Sequence, residues 1–336
     1  MGTIKLTQVR VSAILLAMGK TNRNQPKRAA SSEARYTIGE FDVEFPDDAT
    51  CLDWLVDHLY PEGIWCPTCE RVTKHHRVKA RTCYACQFCG HQEYPMKGTI
   101  FEGSSTSLRL WFHAMYLMAS TRCGISAKQL EREIGVTYPT AWRMFKQIRS
   151  LLPQDDDLLG GTVELDEAFI GGRAKWKTPR KPYQGGQRDF PKTPIAGVAQ
   201  RGANGRSGKV RATVVESTKA ADLLPNMQRK VLPGSVVYTD EWRAYDNLGT
   251  MGYTHDRVAH AQRVYVSGSI HTNTIEGFWS LVKRGISGVY HGVSTKHLQS
   301  YLDEYAFRYN NRDTIGRGMF DAFLGRVRKA SGSQPA

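Results

Sequence analysis

The chain has 336 residues, 40% of them hydrophobic, enough for real cores in two or three modules. With 46 Lys and Arg against 32 Asp and Glu, the formal net charge of +14 suits a nucleic-acid partner, although charge names a class of partner and not a reaction. No stretch approaches the roughly eighteen apolar residues of a membrane span, and seven cysteines, four of them in metal spacing, suit a reducing compartment better than a disulfide scaffold.

Residues 1–35 read as a polar, basic, disordered extension. Its one apolar run, VSAILLAM at 11–18, follows Lys5 and Arg10 but leads to no convincing cleavage site, so Met18 is a candidate initiator. Order is expected from Tyr36. FPDDATCLDWLVDHLYPEG reads as a short capped helix with Cys51, Leu52, Leu55 and Leu59 at helical spacing.

Cys66-x-x-Cys69 and Cys86-x-x-Cys89, with 16 residues between the pairs, have the spacing of a four-thiolate zinc site. Such a site is closed, so its metal folds the module and does no chemistry. Cys83 competes in spacing but is left out, because Cys89-Gly90-His91 resembles the glycine turn after a knuckle. Cys51 and Cys123 read as ordinary buried thiols. The second half of this ribbon carries Arg77, Lys79, Arg81, Tyr84 and Phe88, which suit either a DNA contact or a protein-facing scaffold. The first ordered module therefore spans 36–103.

Residues 104–153 are helical. LRLWFHAMYLMAS is strongly apolar, and SAKQLEREIGVTYPTAWRMFKQIRSLL reads as a helix, a turn at Gly135 and a second helix from Thr137, the spacing of a helix-turn-helix. Arg143 and Lys146 are expected on the exposed, DNA-facing side of that second helix, with Ala141, Trp142, Phe145 and Ile148 mostly in the core. A plain helical bundle gives the same pattern.

After the acidic linker PQDDDLLGG come a strand, TVELDEAFIGG, and a basic loop at 173–192 that suits a phosphate backbone. PIAGVAQR and GKVRATVVES read as a hairpin across GANG, followed by a helix, KAADLLPNMQRKV, the strand SVVYTD and the helix-like IEGFWSLVKRGI. Asp166, Asp240 and Glu276 thus sit at strand ends and a helix start. Carboxylates so placed can converge on two Mg²⁺ ions about 3.5–4 Å apart. Lys283, seven residues after Glu276, shares its helix face and could meet a phosphate. Each acid alone is also ordinary turn or helix-start chemistry. The order strand, hairpin, helix, strand, helix, with acids on the first strand, the fourth strand and a late helix, is that of a ribonuclease-H-like fold. The chain reads as α/β, built of α+β modules, with the catalytic domain at 154–328 and a disordered tail at 329–336.

FPDDATCLDWL, WCPTC, CQFCGHQ, GTIFEGSS, VELDEAFIGG, VYTDEWRAY, HTNTIEGFWSLVKRGI and YLDEYAFRYNNR, in this order over residues 41–324, resemble the zinc-ribbon DDE transposases of bacterial insertion sequences, the ISXO2-like group. The resemblance implies that Asp166, Asp240 and Glu276 are the DDE acids holding two Mg²⁺ or Mn²⁺, that Lys283 is the basic residue on the glutamate helix with Arg284 beside it on the DNA, and that one Zn²⁺ fills the ribbon. Related members can fill the third acid position differently, and Asn273 lies one helical turn from Glu276. His271 reads as a DNA contact, a support of the metal shell, or a capping or packed histidine. The implied function is cleavage of element ends and joining of the 3′ hydroxyl to target DNA, in a cytoplasmic, nucleoid-associated homodimer or larger synaptic complex. The alternative is a sequence-specific DNA-binding regulator with an inert ribonuclease-H-like domain.

Overall fold

The computed structural model describes residues 36–171, 192–202, 208–258, 271–314 and 317–329. The N-terminal extension at 1–35, the basic loop at 173–192 except its last residue, the GANG turn beyond Gly202, and 330–336 lie outside the described residues.

The first core is helical. Helices α1 (Ile38–Glu44) and α2 (Asp48–Leu59) start at Thr37, through a capping box with Glu40, and at Asp47, whose carboxylate accepts from the Thr50 N–H. They bury Phe41, Cys51, Leu52 and Leu55 against α3 (Leu108–Ser120), α4 (Ala127–Ile134) and α5 (Tyr138–Arg149). Gly135 ends α4 at φ 70°, in the left-handed region that glycine enters without steric cost, and the chain turns directly into α5.

Between α2 and α3 lies the ribbon. The hairpin β1 (Ile64–Cys66) with β2 (Arg71–Thr73) is followed by a three-stranded sheet of β3 (His75–Val78), β4 (Cys83–Cys86) and β5 (Gln92–Glu93).

The second half is a five-stranded sheet. In chain order its strands are β6 (Thr162–Ile170), β7 (Thr193–Gln200), β8 (Val210–Val214), β9 (Val236–Thr239) and β10 (Thr254–Arg257), and in space they lie β10-β9-β6-β7-β8. β6, β7 and β8 are antiparallel neighbours, whereas β9 runs parallel to β6 and β10 parallel to β9. Helix α6 (Ala220–Gln228) packs on one face with Val163 and Leu165. Helices α7 (Asn273–Gly285) and α8 (Thr295–Asn310) pack on the other with Ala168, Ile170, Val210 and Ala212. Alternation along β6 therefore puts Glu164 and Asp166 on the α7 face.

The edge strand β8 is closed by side-chain amides. Asn310 accepts from the Val210 N–H and donates to its carbonyl, Gln154 does the same at Ala212, and Gln299 accepts from the Val214 N–H and donates to Ala212.

The last helix, α9 (Gly318–Leu324), crosses the expected module boundary. Its Phe320, Phe323 and Leu324 sit in the first, helical core, with the Phe320 ring stacked 5.6 Å from that of Tyr36. A buried ion triad links the halves as well: Glu304 of α8, fully buried, accepts from Arg149 of α5 at 2.6 Å and from Arg308 at 2.7 Å.

Several sequence expectations need correcting. Helices α1 and α9 and strand β10 had no periodic signal long enough to register. Cys123 is exposed, because it lies in the connection after α3 and off its buried stripe. Trp142, expected in the core, is 40% exposed, while Arg143, expected outside, is half-buried with Nη2 donating to Ser104 Oγ at 3.1 Å and its guanidinium over the Trp111 ring. Lys329 pairs with Glu93 of β5, so the ordered chain runs past 328. Among the described residues no helix is long and apolar enough to cross a membrane.

Candidate active site

The register pairs Thr162 with Val236 and Glu164 with Tyr238 across parallel β6 and β9. Asp166 and Asp240 each follow the last of these pairs by two residues, and the Asp240 charge acts on Asp166. Asp166 is partly buried and accepts the Glu167 N–H at 2.9 Å; Asp240, just past the end of β9, accepts the Trp242 N–H at 2.9 Å in an Asx-type turn. Glu276 lies in the first turn of α7, exposed, with Oε1 accepting from the Thr272 hydroxyl at 2.8 Å.

The electrostatics tie these residues together. Burial first, then the Asp240 charge and that of Glu276, push the Asp166 carboxyl up against the opposing Glu167 N–H and Lys283, to about 7 in all. Carboxylates that repel one another at a partly buried site are the donor set a hard divalent cation takes, because its charge removes the repulsion. Unlike the ribbon thiols, the three acids do not form a tight ligand cluster.

Lys283 and Arg284 stand exposed in the last turn of α7, the Arg284 Nε donating to the Ser280 carbonyl at 3.2 Å. Asn273, the first residue of α7, is exposed too. Lys146 is exposed on α5, with its ammonium 5.8 Å from the Trp142 ring centroid.

Two further acids escaped the sequence reading. Glu164, fully buried, accepts from the backbone N–H groups of Thr274 at 2.8 Å and Ile275 at 3.0 Å, and from Arg201 Nε at 2.7 Å. His271 belongs to the same cluster, its Nδ1 3.2 Å from Glu164 and 2.9 Å from Arg201 Nη2, so the packed reading of this histidine describes its contacts. On the opposite face Glu167 accepts from the Tyr245 hydroxyl, and burial raises its carboxyl to about 7 despite that bond. The available signal was the run Glu164-Leu165-Asp166-Glu167 itself: three acids in a strand whose neighbours are apolar.

In the ribbon the sulfurs of Cys66, Cys69, Cys86 and Cys89 all lie within 4.8 Å of one another. The Cys66–Cys89 and Cys69–Cys86 separations are 3.4 and 3.8 Å, close to the roughly 3.8 Å edge of a tetrahedron with 2.3 Å metal–sulfur bonds. Both knuckles turn through a left-handed residue after their second cysteine, Glu70 at φ 50° and Gly90 at φ 74°. The Thr73 hydroxyl and the N–H groups of Cys89 and Phe88 hold the Cys86 thiol down, to about 5. Cys83 stays outside, its thiol turned to Gln92 Oε1 at 3.6 Å.

Comparison with known proteins places these features. Residues 158–310 match the ISXO2-like transposase domain and residues 46–92 the transposase zinc-ribbon domain. The chain is 30% identical over 275 residues to an uncharacterized protein in transposable element ISH50 of Halobacterium salinarum, covering 79% of this chain and 91% of that protein. It is 35% identical over 105 residues to an uncharacterized transposase-like protein of Haemophilus influenzae, covering 31% of this chain and 84% of that protein. A pre-cleavage Mos1 transpososome structure aligns with 60% of this chain and 72% of its own at 12% identity and a TM-score of 0.26, too low to carry an argument.

Proposed function

We propose, from the premise that this chain belongs to the ISXO2-like transposase family, that it is a DNA transposase whose Asp166, Asp240 and Glu276 form the reaction centre. The observation that carries this reading is that Asp240, Glu276 and Lys283 all act electrostatically on Asp166, with Asp166 on β6 and Asp240 just past the end of its parallel neighbour β9. The strand order, three antiparallel strands followed by two parallel ones on the far side of the first, supports a ribonuclease-H-like catalytic domain.

The three carboxylates would hold a pair of Mg²⁺ or Mn²⁺ ions, which supply Lewis-acid stabilisation and activate the attacking oxygen. Water attacks the phosphorus at the element end and the 3′ oxygen leaves as a hydroxyl. That hydroxyl then attacks a target phosphodiester, displacing the 3′ oxygen of the target strand. Lys283 and Arg284 present cations for the backbone phosphates on either side of the scissile bond. No side-chain nucleophile is needed, which separates this chemistry from that of serine or tyrosine recombinases.

The ribbon thiols would carry one structural Zn²⁺, and α4, Gly135 and α5 would meet duplex DNA through Lys146. Two ends must be cleaved together, so the working form is a dimer or larger complex on DNA. The test is Mg²⁺- or Mn²⁺-dependent nicking of a labelled element end, followed by strand transfer into a plasmid. D166N and D240N should bind the end and fail to nick. Nicking by both at wild-type rates would place the reaction elsewhere.

A further inference from the structure

We propose that Glu164 is a positioning residue that fixes the glutamate helix against the aspartate strand, so that the spacing between Asp166 and Glu276 is set by one buried carboxylate. The inference rests on the assignment of Asp166, Asp240 and Glu276 as the reaction centre.

Four helix starts are capped by the residue just before them, α1 by Thr37, α2 by Asp47, α3 by Ser107 and α4 by Ser126, whereas α5, α6, α8 and α9 carry no such side-chain cap. At α7 the N-cap Thr272 makes no such bond. Its hydroxyl is instead given to Glu276, at 2.8 Å. The orphan N–H groups of Thr274 and Ile275 are satisfied by Glu164 Oε2, 110 and 111 residues away in sequence, at 2.8 and 3.0 Å. A negative charge at that end also suits the helix dipole.

The other oxygen, Oε1, accepts from the Thr274 hydroxyl at 2.9 Å and from Arg201 Nε at 2.7 Å. Arg201 in turn donates to the His271 carbonyl at 2.6 Å, and its own N–H donates to Thr162 at 2.9 Å. The carboxylate therefore binds the helix start directly and, through Arg201, is tied to His271 two residues before α7 and to Thr162 at the start of β6. Glu164 lies two residues before Asp166 on the same strand face, and Glu276 lies two residues after Thr274. A shift of the helix along the sheet would break several charge-assisted bonds at a buried site, where an unpaired carboxylate is costly. Asp166 and Glu276 are held by this link, and Glu164 itself is engaged by the helix start.

The test separates positioning from folding. E164Q keeps the shape but presents an amide N–H₂ to donors on every side. Thermal unfolding without metal measures the fold, and electron paramagnetic resonance of free Mn²⁺ measures metal binding without any turnover. We expect a folded E164Q with Mn²⁺ affinity lowered about 10- to 100-fold, the usual range for losing the support of a metal ligand, and nicking partly restored at high Mn²⁺. Folded E164Q with wild-type Mn²⁺ affinity would overturn the proposal. Should E164Q fail to fold, R201Q is read in its place: weakened Mn²⁺ binding supports the link and unchanged binding overturns it. D166N in the same series keeps the two ideas apart. Wild-type Mn²⁺ binding and nicking by D166N would refute the reaction centre itself, whereas inactive D166N beside unaffected E164Q would refute only the positioning role.

Discussion

Gly197 lies under the Trp279 indole: a β-carbon built at 197 would come within 2.4 Å of Trp279 Cζ2 and 2.7 Å of Ile275 Cδ1. Gly197 is also the cross-strand partner of Asp166. The helix bearing Glu276 can settle beside the aspartate strand because the position opposite Asp166 has no side chain.

Gly197→Ala should therefore push α7 away from the sheet. Overpacking of this kind costs roughly 1–3 kcal/mol, and nicking should fall by more than the stability loss explains. Thermal unfolding and end-nicking rates on one preparation would show this; a variant with both at wild-type values would mean that α7 adjusts freely.

The Asp166 carboxyl, raised to about 7, predicts a pH dependence in metal-free protein. A raised carboxylate pKa means that the folded state holds its proton longer than the unfolded chain, whose aspartate titrates near 3.9. The resulting destabilisation is absent below about pH 4, grows as pH rises, and is complete above about pH 7. Melting temperature should fall across that window, and D166N should flatten the fall in part, because Glu167 titrates in the same range. Saturating Mn²⁺ should abolish most of it. A melting temperature independent of pH from 4 to 8 would contradict this account.

Cys69→Ser should release the zinc and unfold the ribbon, whereas Cys83→Ser should keep it. Elemental analysis of the two purified variants decides the matter, and loss of metal from the Cys83 variant would redraw the ligand set.

Lys146→Ala should weaken binding to element ends and lower the salt slope by about one. Arg143→Ala should act mainly on stability, since its guanidinium is engaged by Ser104 and Trp111. Fluorescence anisotropy at several salt concentrations, with melting curves alongside, distinguishes the two roles.

Glu304→Ala would leave Arg149 and Arg308 buried without their shared carboxylate. Breaking a buried ion network from one side typically costs about 3–5 kcal/mol, so denaturant unfolding should show a large loss of stability. A change below 1 kcal/mol would mean that water compensates.

The sequence announced what short motifs announce. The cysteine knuckles, the two-helix pattern around Gly135 and the three separated acids each depend on local spacing, and the structure gathers the thiols and electrostatically couples the acids. What it hid were long-range arrangements. Glu164 reads as one more polar residue in a strand because the helix-start N–H groups it satisfies lie more than a hundred residues away. Trp142 and Arg143 were exchanged between core and surface because helical periodicity gives a face and not what covers it: Ser104 and Trp111 come from outside α5 to engage the arginine. β10 carries only four residues, largely polar, and becomes a strand through its pairing with β9.

The amide row along β8 has a bearing on self-association. Five backbone groups on Val210, Ala212 and Val214 are already satisfied by Asn310, Gln154 and Gln299, so a strand arriving from a neighbouring copy finds most of that edge already taken. Two copies of this chain are in this way hindered from joining sheet to sheet through β8.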